Sequence, residues 1–281
     1  MSAELLNAYW TSAGPVEVHA GREWSLYDFA DRCAEARRAG FRGIGLWHAD
    51  LVHVLEQRTL RDMRTLLEDN GLIYLELEFL QDWFLDEGEE ARRVADETRR
   101  LLFEAAEALG AHHIKAGNIP ATPCERGRLK ESYAELVADA LQHTSARVMY
   151  EIMPHDPNVD GLESALDLID GIDGTAVLID TWHMGKLGVA PDDLRKIPLA
   201  QLGWVELSDG RYENMPDFVD ETVNHRRLPG EGEFPIREYV AVCRDMGYGD
   251  AWGVEVLSEQ LRSYPMDEMF RRTYEAAAAQ F

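Results

Sequence analysis

Short apolar runs and helix-like stretches alternate eight times along this chain, from residue 5 to the C-terminus. The pairs begin with LLNAYW (5–10) before SLYDFADRCAEARRAG, FRGIGLW before TLRDMRTLLEDNG, and LIYLELEFL before an amphipathic stretch from about 88 to 110. HHIKAGN then precedes CERGRLKESYAELVADALQHT, RVMYEIMP precedes GLESALDLIDG, and TAVLIDTWH precedes APDDLRKI. LGWVELSD leads through a long polar loop to PIREYVAVCRDMGYG, and WGVEVLS to PMDEMFRRTYEAAAAQF. Strict βα alternation implies a parallel sheet covered by helices. Eight units in 281 residues fit a closed (β/α)8 barrel, a TIM barrel, better than an open doubly wound sheet. No Pro/Gly/Ser linker divides the chain, so residues 1–281 read as one α/β domain. Ser25 is the expected cap of the first helix and Gly40 its stop. No glycine-rich phosphate cradle of the dinucleotide or P-loop type occurs.

Charge narrows the partners. The net charge of −24, from 52 acids against 28 bases, repels phosphate backbones and anionic membranes, so neither nucleic acid nor membrane is expected. A small, neutral, polar substrate suits such a surface. No apolar run approaches the ~20 residues of a membrane span, and the N-terminal residues do not read as a secretory signal. Cys33, Cys124 and Cys243 are scattered without a C-x-x-C pair, which points to the cytoplasm and away from a thiolate zinc site. Assembly as a homo-oligomer or with a partner subunit stays open.

In (β/α)8 barrels, active sites lie at the C-terminal strand ends. Glu151, Asp180, Glu206 and Glu255 fall on the fifth to eighth apolar runs, which are neighbouring staves. Both faces of such strands are covered, so a charge there is costly unless it is paired or bound to metal. One divalent cation held by all four acids is the simplest remedy. Oxygen donors favour Mn²⁺, with Mg²⁺ or Co²⁺ as alternatives, over Zn²⁺. On this reading Asp180 is a metal ligand rather than a helix cap, and His183 overhangs the metal from the following loop.

Weaker candidates surround these. Lys115 ends the fourth run and reads either as a donor to a substrate hydroxyl or as a surface lysine. His155 is a further acid/base or a loop histidine. Trp10, Trp47 and Trp182 are candidate walls around a ring. Glu76 and Glu78 alternate with leucines, so one side of that strand at most serves the mouth. His112 and His113 begin their strand and belong at the opposite end of the barrel.

Glu151, the DTWH stretch (Asp180 to His183) and Glu255 resemble the ordered pattern of the xylose isomerase-like family of sugar isomerases and epimerases, which are single-metal (β/α)8 barrels. Glu206 departs from that pattern, which has His or Gln there: either the site is all-carboxylate or Glu206 is not a ligand. HRRLPGEGEFP (225–235) resembles the family's basic loop and Gly-Glu-Gly turn. The resemblance implies a metal holding two adjacent oxygens of a hydroxy-ketone or aldose. Glu151 and Glu255 would then move the proton of the carbon between them, while His183 and one of Arg226 or Arg227 bind substrate oxygens. It implies isomerisation or epimerisation of a non-phosphorylated keto-sugar or related polyol. The main alternative is a lyase or dehydratase acting by β-elimination on a keto-sugar, keto-inositol or 3-keto-glycoside. DNA endonucleases of the same superfamily use histidine-rich zinc clusters, which these strand ends lack, and a non-catalytic barrel without its metal is the remaining alternative.

Overall fold

The computed structural model describes residues 3–18 and 21–281. The eight apolar runs form parallel strands β1 (Leu5–Asn7), β2 (Gly43–Trp47), β3 (Tyr74–Leu80), β4 (His113–Ala116), β5 (Arg147–Glu151), β6 (Thr175–Asp180), β7 (Leu202–Leu207) and β8 (Trp252–Val254). They close in chain order, with β8 pairing β1. The expected barrel is therefore formed.

Strand alternation divides the core into layers. Leu75 and Leu77 of β3, Val148 and Tyr150 of β5, Val177 and Ile179 of β6, and Val205 and Leu207 of β7 pack outward in one large cluster with the helices. Residues of the opposite parity turn inward, where Leu6, Ala8, Met149, Leu178, Trp204 and Ala251 plug the barrel. A third cluster, including Trp10, Trp47, Phe79, Met153 and Leu257, lines the C-terminal mouth. Glu76, Glu78, Glu151, Asp180, Glu206 and Glu255 are buried between the plug and this rim. Two glycines make room for them. A Cβ at Gly253 would lie 2.7 Å from Glu206 Cγ, and one at Gly45 would lie 2.9 Å from Glu76 Oε1.

Several local expectations change. The first long helix runs Phe29–Ala39 and is capped by Asp28, whose carboxylate accepts the Ala30 N–H; it ends as expected at Gly40, with φ 116°. Ser25 is not the cap, because its amide donates to buried Asp50 and so ties the SLYD segment to the barrel before the helix can start. Trp10 lies just past the end of β1, on a short helix, Tyr9–Ser12, where the LLNAYW run reads as strand throughout. His183 likewise lies on a helix, Thr181–Leu187, rather than in a loop.

The long loop after β7 is ordered around Asp209. Its buried carboxylate accepts N–H bonds from Gly210, Gly230, Gly232 and Phe234 at 2.7–3.1 Å. Bridges Asp209↔Arg227 and His225↔Ser258 then lay the HRRLPGEG segment beside the mouth. No described helix is long and apolar enough to cross a membrane.

Candidate metal centre and active-site mouth

Register sets the depth of each acid. Asp180 pairs with Glu206, and Glu206 with Gly253, so Glu255 lies two residues nearer the mouth than its neighbour Glu206. Glu151 and Asp180 close their own strands. One oxygen from each of Glu151, Asp180, Glu206 and Glu255 lies within 4.8 Å of the others, and Glu151, Asp180 and His183 form a second such group. The structure thus brings together the four acids expected from the strand ends.

Asp180 is a helix cap, which corrects the expectation of a ligand in place of a cap, and only one of its oxygens serves that purpose. Its Oδ1 accepts the Trp182 N–H at 2.8 Å and caps the following helix. Its Oδ2 faces inward, 2.7 Å from Arg226 Nη1. His183 Nδ1 lies 2.9 Å from the Ile152 carbonyl, which only a protonated nitrogen can satisfy. The lone pair therefore sits on Nε2, 3.2 Å from Arg226 Nη2. Burial, reinforced by Arg226, holds this imidazole well below its usual pKa, so it is neutral.

Among the described residues Glu151 has no Lys or Arg partner, and its only ion-pair contact is the neutral His183 ring, at 3.5 Å. Burial pushes its carboxyl up to about 8, with Lys115 opposing and Glu255 and Asp180 adding to the rise. Burial likewise raises Asp180 to about 7, against the pull of Arg226. Burial also raises Glu78 and Glu206 well above the usual carboxylate range despite Lys115.

Lys115 is neither a surface lysine nor a substrate contact. It has no exposed surface. Its Nζ donates to Glu206 Oε2 at 2.9 Å and Glu255 Oε1 at 2.8 Å, and lies 3.6 Å from Glu76 and 3.8 Å from Glu78. Burial works against its charge, but Glu206, Glu255, Glu76 and Glu78 together outweigh that and raise its pKa well above the usual value. Beneath it, Asp250, His112, His113 and Glu76 form a chain with links of 3.0, 3.0 and 3.1 Å. His112 and His113 do sit at the far end of the barrel, as expected, yet they support the site from below. Burial holds His113 down to about 4, and Lys115 and His113 bring Glu76 to about 2 despite burial.

The four acids are therefore not uncompensated, which corrects the argument from repulsion alone. Even so, six inward carboxylates meet only two buried cations, Lys115 and Arg226, among the described residues. Glu76 Oε1, Glu78 Oε1 and Glu206 Oε1 are buried without a hydrogen-bond partner. Orphaned carboxylate oxygens beside a surplus of negative charge fit a hard divalent cation.

Above the acids opens a narrow cavity of about 70 Å³, walled by Trp10, Trp47, Phe79, Met153 and Leu257. Glu78, Glu151, His155, His183, Arg226 and Glu255 supply its polar groups. Trp10 and Trp47 pack together with ring centroids 4.9 Å apart. Trp182 is not a wall, since it lies fully buried behind Arg226, whose guanidinium stacks 4.7 Å above it. Arg227 points away to the Glu231 carbonyl and borders only the outer groove, whereas Arg226 lines both that groove and the mouth cavity. Glu78 was missed as a mouth residue. Its signal was the parity of LELEFL, which turns Glu76 and Glu78 to one side of β3.

Residues 33–278 match the model of the xylose isomerase-like TIM barrel family, and the chain belongs to that family. It is 25% identical over 232 residues, 81% of its length, to a 3-dehydroshikimate dehydratase of Pseudomonas aeruginosa, and spans 36% of that protein. Among solved structures it resembles an IolI protein with a bound zinc atom, at TM-score 0.76 and 14% identity over 99% of this chain and 97% of that one. It also resembles D-psicose 3-epimerase from Clostridium cellulolyticum H10, at TM-score 0.71 and 13% identity over 99% and 98%. At such identities the two structures speak for the fold.

Proposed function

We propose that the chain is a divalent-metal-dependent isomerase or epimerase of a non-phosphorylated keto-sugar or related polyol. The carrying observation is the convergence of Glu151 and Glu255 from β5 and β8, with oxygens within 4.8 Å, under a cavity walled by indole rings. A divalent ion, Mn²⁺ by the hardness of the donors, held by Glu151, Asp180, Glu206 and Glu255, would stabilise charge developing on the substrate's oxygens. Glu151 then removes the proton next to the carbonyl. In the metal-free site, burial pushes this carboxyl up to about 8, which marks a carboxylate of high proton affinity. Glu255, on the other side of the reacting carbon, serves the returning proton. Arg226 and the Nε2 lone pair of His183 hold substrate hydroxyls. Trp10 and Trp47 cover the apolar face of a ring and exclude water.

Dehydration is the second reading. It is supported by the likeness to the 3-dehydroshikimate dehydratase and by His155 at the cavity wall, where it can protonate a departing hydroxyl. Three unpaired cysteines agree with a reducing compartment such as the cytoplasm.

Incubating the Mn²⁺-loaded protein with a panel of keto-sugars in heavy water separates these readings. Deuterium entering a substrate without loss of water supports isomerisation or epimerisation, while an unsaturated product supports dehydration. If the whole panel shows neither, both readings fall.

A further inference from the structure

We infer that Lys115 is a built-in counter-cation for Glu206, so that the Lys115–Glu206 pair together presents the metal with the charge of a neutral ligand. The inference rests on the metal reading of the site. Both Glu206 oxygens lie 2.9 Å from Lys115 Nζ, although only Oε2 has hydrogen-bond geometry. The pair is built in from every side. Gly253 leaves the space that Glu206 Cγ occupies, and Glu76, held by His113, sits below the ammonium.

Lys115 cannot serve the substrate, because it has no exposed surface and takes no part in lining the cavity. Charge counting gives it a different task. Four carboxylate ligands carry two more negative charges than one divalent ion neutralises. Lys115 answers one of these from beneath, through Glu206 and Glu255, and Arg226 answers the other from the side, through Asp180 and Glu255. With metal bound, the charges of the four ligands are balanced, while Glu76 and Glu78 also share the ammonium. Without Lys115, Glu206 would be an extra charge buried in a closed barrel; without Glu206, Lys115 would keep Glu255 but bring one more positive charge to the metal than the ligands answer.

Lys115 is on this account a positioning residue, and its effect should depend on Glu206. Four proteins test this: wild type, Lys115→Met, Glu206→Gln and the double variant. Each is titrated calorimetrically with Mn²⁺ and melted without metal. Glu206→Gln is expected to weaken Mn²⁺ binding about 10- to 100-fold, the usual scale for partners around a metal. Lys115→Met is expected to bind Mn²⁺ at least as tightly as wild type but to melt lower without metal. The double variant should return to within about threefold of the wild-type affinity and recover metal-free stability relative to Lys115→Met. A mere packing role would weaken binding in all three variants, and that result overturns the pairing, as does simple additivity. If Lys115→Met folds only in Mn²⁺, a double variant that folds without metal supports the pair, and one that does not overturns it. If the wild type binds no Mn²⁺, the metal reading itself falls, while the metal-free melts still judge whether Lys115 and Glu206 are coupled.

Discussion

The barrel interior holds two polar layers whose charges are answered differently. In the deeper layer, Asp250, His112, His113, Glu76, Lys115 and Glu206 each meet a fixed protein partner. In the mouth layer, Glu151, Asp180 and Glu255 crowd together, and Arg226 with its single Nη1 reaches only the latter two. The contrast separates what holds the site from what works in it. A connected buried network rigidifies its surroundings, even with Glu76 Oε1 and Glu206 Oε1 left unpaired, whereas poorly answered acids in a cleft are the mark of a reactive site. The deep layer fixes Glu206 and the floor, leaving Glu151 with an elevated proton affinity and an open face toward the cavity.

Mutations in the two layers should therefore fail in different ways. The largest effect is expected for Glu151→Gln, which keeps the shape and loses the proton acceptor. Turnover at saturating Mn²⁺ should drop about 10²- to 10⁴-fold, while metal-free melting near neutral pH should not fall, because glutamine matches the shape and the neutral state of a carboxyl that keeps its proton to about 8. Asp180→Asn comes next. Asparagine caps a helix as well as aspartate, so the Thr181–Leu187 helix should persist by circular dichroism. Mn²⁺ affinity should nevertheless fall by more than the about 10- to 100-fold typical of an outer partner. In the deep layer, His113→Phe strands the Glu76 carboxylate. It should lower stability in urea by about 1–3 kcal/mol and leave the number of bound Mn²⁺ ions unchanged. A turnover loss in His113→Phe equal to that of Glu151→Gln would erase the distinction between the layers.

The smallest effect is a pH trend. Folded Glu151 and Asp180 hold their protons to about 8 and about 7, far above unfolded carboxylates. The folded state thus binds more protons across that interval, and stability falls as pH rises through it. Buried His183 and His113, shifted downward, act oppositely but only below the ordinary histidine range. Metal-free protein should accordingly melt lower at pH 8 than at pH 6.5, and Glu151→Gln should flatten that slope. A rising melting temperature over the same interval would show that these acids are already ionised.

Much of this arrangement was legible in the residues. The alternation of runs gave the barrel, and acids in otherwise apolar runs gave Glu151, Asp180, Glu206 and Glu255. What stayed hidden depended on reach across the barrel. Lys115 sits in HIKA like a strand-end lysine, yet its partners are 91 and 140 residues away, on β7 and just past the end of β8, a distance no local pattern encodes. Asp180 looked like a choice between cap and ligand because the sequence does not say where each of its two oxygens points. Arg226 and Arg227 were indistinguishable until the bridge to Asp209 turned one inward and the other out. The parity of LELEFL did carry Glu78, but only a closed barrel makes an inward glutamate part of the mouth.

The carboxylate surplus of the mouth layer should act as a cation site. Calorimetric titration of metal-stripped protein with Mn²⁺, run beside Asp180→Asn, tests it most directly. The account predicts one saturable site per chain in the wild type, a rise in melting temperature that grows with Mn²⁺ concentration, and much weaker binding in the variant. Absence of saturable binding, or equal binding by both proteins, would contradict it.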